Sequence, residues 1–187
     1  MTKIFAIIIL LVGLQGVAAV PFEKDGKWGY KDIDGQVVIE PRFIIAGEFS
    51  PEGVAAVVDK KGWAYVNKSG EVVIRPHVYD NGPDYFSEGL ARFSENGKFG
   101  FFDKTGNVVI KPAFDFAFPF REGLARVCNG CKLVKNGVHT TVEGGKWGYI
   151  DTRGKLVIQL GYEDARDFSD GVAKVKKEGK WIIINYK

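Results

Sequence analysis

The sequence predicts an all-β fold, built of tandem three-stranded antiparallel meanders stacked as an open twisted array, with propeller-like closure as the alternative. Three observations carry that expectation. Gly26-Lys27-Trp28-Gly29-Tyr30 returns as Lys61-Gly62-Trp63-Ala64-Tyr65, Gly97-Lys98-Phe99-Gly100-Phe101, Gly145-Lys146-Trp147-Gly148-Tyr149 and Gly179-Lys180-Trp181-Ile182-Ile183. Within each copy apolar residues alternate with period two, the mark of a half-buried strand. Between the runs stand Asn-Gly and Asp-x-x-Gly turns, which tolerate the positive φ of tight reversals. A unit of about 35 residues cannot bury its own apolar face, so its neighbours must supply the core.

The chain has 187 residues, and its first stretch stands apart. Lys3 precedes an apolar run from Ile4 to Leu14, followed by the small residues Gly16, Ala18 and Ala19. Basic start, short apolar core and small-residue site are the order of a secretory signal, expected over residues 1–19. Residues 20–187 then form the repeat domain, with no membrane span in the mature chain. The expected destination is export, to periplasm, cell surface or medium. Hydrophobic residues make up 45% and charged residues 26%, which argues against disorder. Removing Lys3 with the leader lowers the formal charge from +3 to +2. The lysines are spread one or two per repeat beside turns, so nucleic acid is not an expected partner.

The best-formed unit shows the elements in order. Gly89-Leu90-Ala91-Arg92-Phe93 reads as a first strand, Asn96-Gly97 as a hairpin turn, and Phe99, Phe101 and Phe102 as the middle strand. Asp103-Lys104-Thr105-Gly106 turns the chain again, and Val108-Val109-Ile110 form a third strand that Pro112 ends. In the connection onward Phe114, Ala117 and Phe120 sit three apart, as do Phe43, Ala46 and Phe49, and Tyr162, Ala165 and Phe168. That spacing predicts a short 3₁₀ or single helical turn. Five units result, the terminal ones incomplete, and an inserted hairpin lies at about residues 128–144. Trp28, Trp63, Phe99, Trp147 and Trp181 are the expected repeat core, each filling the gap between adjacent sheets. The glycine after the ring leaves room for a close neighbour.

These residues resemble the WG-repeat, or KWG-repeat, family of bacterial proteins. The signature is carried by Glu88-Gly89-Leu90-Ala91, Lys146-Trp147-Gly148-Tyr149-Ile150-Asp151, Gly154 and Val108-Val109-Ile110-Lys111-Pro112. Ala64 and Ile182 replace the motif glycine, Phe99 the tryptophan, and Leu160 a proline. The resemblance implies a repeat scaffold, often exported, without an agreed enzymatic activity.

Chemistry is sparse. Cys128-Asn129-Gly130-Cys131 suggests a disulfide loop around an Asn-Gly turn, as export would favour. Redox work would need an exposed low-pKa thiol. Zinc would find three ligands in Cys128, Cys131 and His139, one short of a closed site. The expectation is therefore no cofactor and no metal. Insertions into repeats often meet partners, so Asn129, Gly130, Lys132, Lys135, Asn136 and His139 form the candidate interaction surface, for an unidentified protein or glycan. The acidic turns at Asp32, Asp103 and Asp151 lack the oxygens calcium needs. Glu52, Glu88, Glu122 and Asp170 recur before the first-strand glycine, which suits a turn role better than a glycosidase pair. No serine is tied to His77 or His139 as a triad requires. The functional expectation is a non-catalytic interaction module, with a purely structural envelope protein and, less so, a glycan hydrolase as alternatives.

Overall fold

The computed structural model describes residues 19–79, 82–136 and 139–186. Apart from Ala19, the expected signal segment lies outside the described residues. The first sheet runs β1 (Val20–Lys24), β2 (Lys27–Lys31), β3 (Val37–Phe43). The second adds a leading strand, β4 (Ile45–Phe49), ahead of β5 (Ala55–Asp59), β6 (Gly62–Val66) and β7 (Val72–Ile74). A small pair, β8 (Val78–Tyr79) and β9 (Gly82–Pro83), precedes the sheet β10 (Leu90–Glu95), β11 (Lys98–Asp103), β12 (Val108–Phe114). The fourth sheet is β13 (Phe116–Ala117), β14 (Leu124–Asn136), β15 (His139–Asp151), β16 (Leu156–Tyr162). The last is β17 (Asp164–Ala165), β18 (Val172–Lys177), β19 (Lys180–Asn185). All pairings between these strands are antiparallel and run in chain order. Packing between sheets joins neighbours, β2 to β4, β11 to β13 and β15 to β17. The described residues form tandem sheets stacked in sequence, with no closed propeller.

The turns follow from side-chain chemistry. Asp32, Asp103 and Asp151 each accept the N–H groups two and four residues ahead on one carboxylate oxygen, at 2.8–3.0 Å. Asn67 does the same with its amide oxygen. The carboxylates tie the reversal together, so their recurrence is a folding device. Where Glu88, Glu122 and Asp170 precede glycine, they take left-handed φ of 52–55° in two-residue hairpin turns.

The connections correct the helical expectation. Ala117 and Ala165 lie in short strands that pair with Val127 and Val175, and Ala46 pairs with Val57 in β4. The spacing of three arises because the alanine fits into the ladder while the ring three residues on turns back towards the preceding unit. There Phe49 meets Tyr30 at 4.7 Å, Phe120 meets Phe101 at 4.7 Å and Phe168 meets Tyr149 at 4.9 Å between ring centroids. Tyr65 and Phe86 repeat the arrangement at 5.9 Å. Each such pair contributes about 0.5–1.5 kcal/mol beyond area burial.

The motif glycine has a geometric cause. Between Phe99↔Phe114 and Phe101↔Ile110, two steps along β11 span four along β12. The third strand therefore bulges over Gly100, as it does over Gly29 and Gly148 in the same register. A Cβ on any of the three would run into the backbone of the bulge, beginning at the carbonyl of Ile39, Ile110 or Ile158. Where Ala64 stands instead, β7 stops at Ile74 and Pro76 crosses to bridge Phe93. The methyl group and the early departure of the third strand go together.

Candidate functional site

The fourth sheet carries the longest ribbon. β14 and β15 pair from Leu124↔Asp151 out to Asn136↔His139, so the insertion is a straight extension of the middle hairpin. The expected Asn129-Gly130 turn is absent: Asn129↔Lys146 and Cys131↔Gly144 hold one register through it. Gly130, Gly144 and Gly145 have φ of 78°, 73° and 74° and twist the ribbon at one level. Gly145 faces Cys128 Sγ and the backbone of Asn129 and Cys131, where no side chain fits.

At that level Cys128 and Cys131 form a disulfide across a Cα–Cα distance of 6.1 Å, with both residues buried. It lies along one strand rather than closing a turn. Its sulfurs are bonded to each other, which removes them as zinc ligands and thiol nucleophiles. A clasp from the preceding corner fixes the same level. Asp115 accepts Gly130 N–H at 2.6 Å and the Lys98 ammonium at 2.7 Å, and its own N–H donates to Asn129 Oδ1 at 3.1 Å. The lysine, then the Gly130 N–H, hold the Asp115 carboxyl below the usual carboxylate range.

The candidate surface therefore divides. Asn129 and Gly130 are spent on the clasp. Lys132 and Lys135 are exposed further out, beside Leu133 at 51% exposure. Asn136 and His139 pair at the end of the ladder, and their side chains lie outside the described residues.

Of the five expected core rings, Phe99 and Trp147 are buried and Trp28 and Trp63 half-buried. Trp181 is corrected: it is 45% exposed. Trp147 is covered by Tyr162 of β16, by Phe118 at 5.9 Å and by Arg126. β19 has no third strand among the described residues, so only the Arg166 guanidinium, 5.0 Å away, stands over Trp181.

Sequence reading missed the residues that join the units. The ring two places after the motif aromatic carries the seam, and in two units its phenol adds a bond: Tyr30 to Gly47 O at 2.8 Å, Tyr149 to Arg166 O at 2.6 Å. Burial pushes the Tyr30 phenol up to about 12 and raises Tyr149 as well. Arg92 and Arg126, equivalent in the first strands, donate to Ala117 O and Ala165 O of the next unit at 2.8 and 2.6 Å. Arg92 also binds Asp84 in a buried ion pair, and Arg126 binds Asp167. The signal was present as constant spacing: Tyr30 to Phe49, Phe101 to Phe120 and Tyr149 to Phe168 are each nineteen apart.

Two of the four carboxylates weighed for hydrolysis serve the same seam. Glu88 accepts Gly123 N–H at 2.9 Å, and Glu122 accepts Asp170 and Gly171 N–H at 2.7 and 2.9 Å. Ser87 Oγ donates to Phe120 O at 2.7 Å. His77 packs edge-on to Phe99 at 4.8 Å, and burial, then Arg92, lower its pKa. Among the described residues no three His, Cys, Asp or Glu side chains gather to hold a metal ion, and no helix is long and apolar enough to cross a membrane.

Comparison with known families agrees with this geometry. The family described as WG containing repeat matches residues 28–63, 63–99, 99–132 and 147–181. Each match starts at one motif aromatic, and the unmatched stretch between the third and fourth falls on the outer part of the β14–β15 ribbon. No curated protein matches the chain.

Proposed function

The chain belongs to the WG-repeat family, and on that premise we propose that it is an exported, non-catalytic module that meets a protein or glycan partner through its β14–β15 ribbon. One observation carries the reading: a projecting hairpin is anchored by a buried disulfide and the Asp115 clasp at its base, while Lys132, Leu133 and Lys135 stay exposed beyond it. Rigid bases with exposed, mixed apolar and cationic tips lose little conformational entropy on binding. The disulfide and the basic–apolar–small N-terminal order both suit export into an oxidising compartment. The alternatives have less support. A glycan hydrolase needs two facing carboxylates, whereas Glu88 and Glu122 bind backbone N–H groups. A purely structural role leaves the insertion unexplained.

The test replaces residues 132–143 with a two-residue turn and compares native interactors and glycan-array binding with those of the parent chain. The expected outcome is loss of a partner with unchanged far-UV circular dichroism. Identical interactors and glycans for the two proteins would refute the reading.

A further inference from the structure

The disulfide joins two residues that a regular strand keeps apart. Side chains on a strand alternate between its faces, so residues three apart point to opposite sides. Cys128 and Cys131 are three apart on β14, yet their sulfurs are bonded. The alternation is therefore reset between them. The ladder shows where: Asn129↔Lys146 and Cys131↔Gly144 pair, while Gly130 and Gly145 between them do not. Gly130, Gly144 and Gly145 take left-handed φ at that level.

The reset decides which face the outer ribbon turns to the body. Beyond it Cys131, Leu133 and Lys135, with Val142 and Thr140 opposite, continue the face of Cys128. Without it Lys132, Val134, Thr141 and Glu143 would stand there. Burial agrees: Val142 packs on the core cluster that holds Cys128, Cys131 and Trp147, while Lys132, Thr141 and Glu143 are exposed. Cross-strand register does not select the phase, because the same residues stay opposite one another in either. Three residues at the reset are glycines, which accept either sign of φ, and a two-stranded ribbon alone is marginal in water. A loop this short constrains the unfolded chain little, so the phase is what the sulfur bond chiefly fixes.

We propose that Cys128–Cys131 is a redox latch on the ribbon. Oxidised, it holds residues 131–136 and 139–144 in this phase; reduced, it lets the glycine level swing and the outer ladder open. The reductant is a dithiol. Its thiolate attacks Cys131 Sγ, since Cys131 is 8% exposed and Cys128 fully buried. The S–S bond breaks, a mixed disulfide forms, and Cys128 leaves as a thiolate that takes up a proton. The second thiol of the reductant then attacks the reductant's sulfur in that mixed disulfide and releases Cys131 as a thiol. Two electrons pass to the chain, and the reductant ends as a disulfide. Withdrawal of the contact surface on reduction rests on the function proposed for the ribbon; the latch itself does not.

The test compares hydrogen exchange of the full chain before and after excess dithiothreitol in native buffer, with thiols counted by mass. The expected result is exchange at least tenfold faster at residues 128–136 and 139–146 after reduction, unchanged exchange in β10, β11 and β18, and reversal on reoxidation. Gly130→Ala gives a second readout. Its new methyl has one contact outside its chain neighbours, Gly145 Cα at 3.6 Å, so its main effect is to disfavour the left-handed φ. That opposes the phase the disulfide requires, and by reciprocity the disulfide becomes easier to reduce. In a glutathione titration the equilibrium should move about tenfold towards thiols, the size of left-handed strain at alanine. Gly97→Ala, equally left-handed but remote from the ribbon, should leave it unchanged. The latch is overturned by equal exchange in the two redox states, by acceleration spread evenly over the chain, or by a disulfide that dithiothreitol reaches only on global unfolding. A Gly130→Ala equilibrium matching that of Gly97→Ala overturns it too. A ribbon indifferent to redox state whose replacement at 132–143 still removes interactors sinks the latch alone. A responsive ribbon whose replacement removes none sinks the proposed function alone.

Discussion

Replacing Gly148 with alanine adds one methyl group where the third strand bulges across the middle strand. The new Cβ would stand 2.5 Å from Ile158 O and 2.9 Å from both Gln159 C and Leu160 N. All three are backbone atoms of β16, so no side-chain rotation relieves the contact. β16 must shift as a piece, yet Trp147↔Tyr162 and Tyr149↔Ile158 bracket the contact and oppose the shift. Overpacking of this kind costs about 1–3 kcal/mol, and loosening one ladder bond beside it adds about 1 kcal/mol. The expected loss is about 2–4 kcal/mol. Gly161→Ala in the same strand is the control, because its nearest neighbour lies 4.0 Å away and its φ is not left-handed. That change should stay within about 0.5 kcal/mol of the parent. Urea unfolding followed by tryptophan fluorescence gives both values from the midpoint at constant slope. A Gly148→Ala protein as stable as Gly161→Ala would refute the bulge explanation of the motif.

Arg126→Ala should cost about 2–4 kcal/mol in the same assay, since it leaves Ala165 O and the half-buried Asp167 carboxylate without their donor. Opening the Cys128–Cys131 disulfide closes no large loop, so the expected loss is about 2 kcal/mol. Hydrogen exchange should rise first at residues 128–131 and 144–146. In alkali, folded Tyr30 keeps its proton up to about 12 while the unfolded phenol releases it near 10. The folded state binds more protons between those values, so stability is complete below about pH 10 and falls as pH rises towards about 12. Tyr30→Phe should flatten that fall; an unchanged alkaline profile would count against the buried phenol.

How much of this the sequence shows depends on the range of each interaction. The strands, turns and repeat length were legible because their causes are local: alternation, Asn-Gly pairs, and aspartates that bind N–H groups two and four residues ahead. The connections misled because spacing of three is compatible with a helical turn, and only pairing with a strand ten residues on, Ala117 to Val127, makes it extended. The cysteines misled in the same way. Asn129-Gly130 is a turn signal by local preference, but twelve cross-strand pairs along β14 and β15 override it, and the glycine serves the twist instead.

The misplacement of Trp181 comes from treating the motif as a self-sufficient core position. Trp147 and Trp181 share a motif and a strand position, yet one is buried and the other 45% exposed. The difference lies in the next strand: β16 brings Tyr162 onto Trp147, and no third strand reaches Trp181 among the described residues. Burial in this array is conferred on each unit by the next segment. A motif residue therefore reports a surface prepared for a strand, and whether it is core or contact depends on whether the chain itself supplies one.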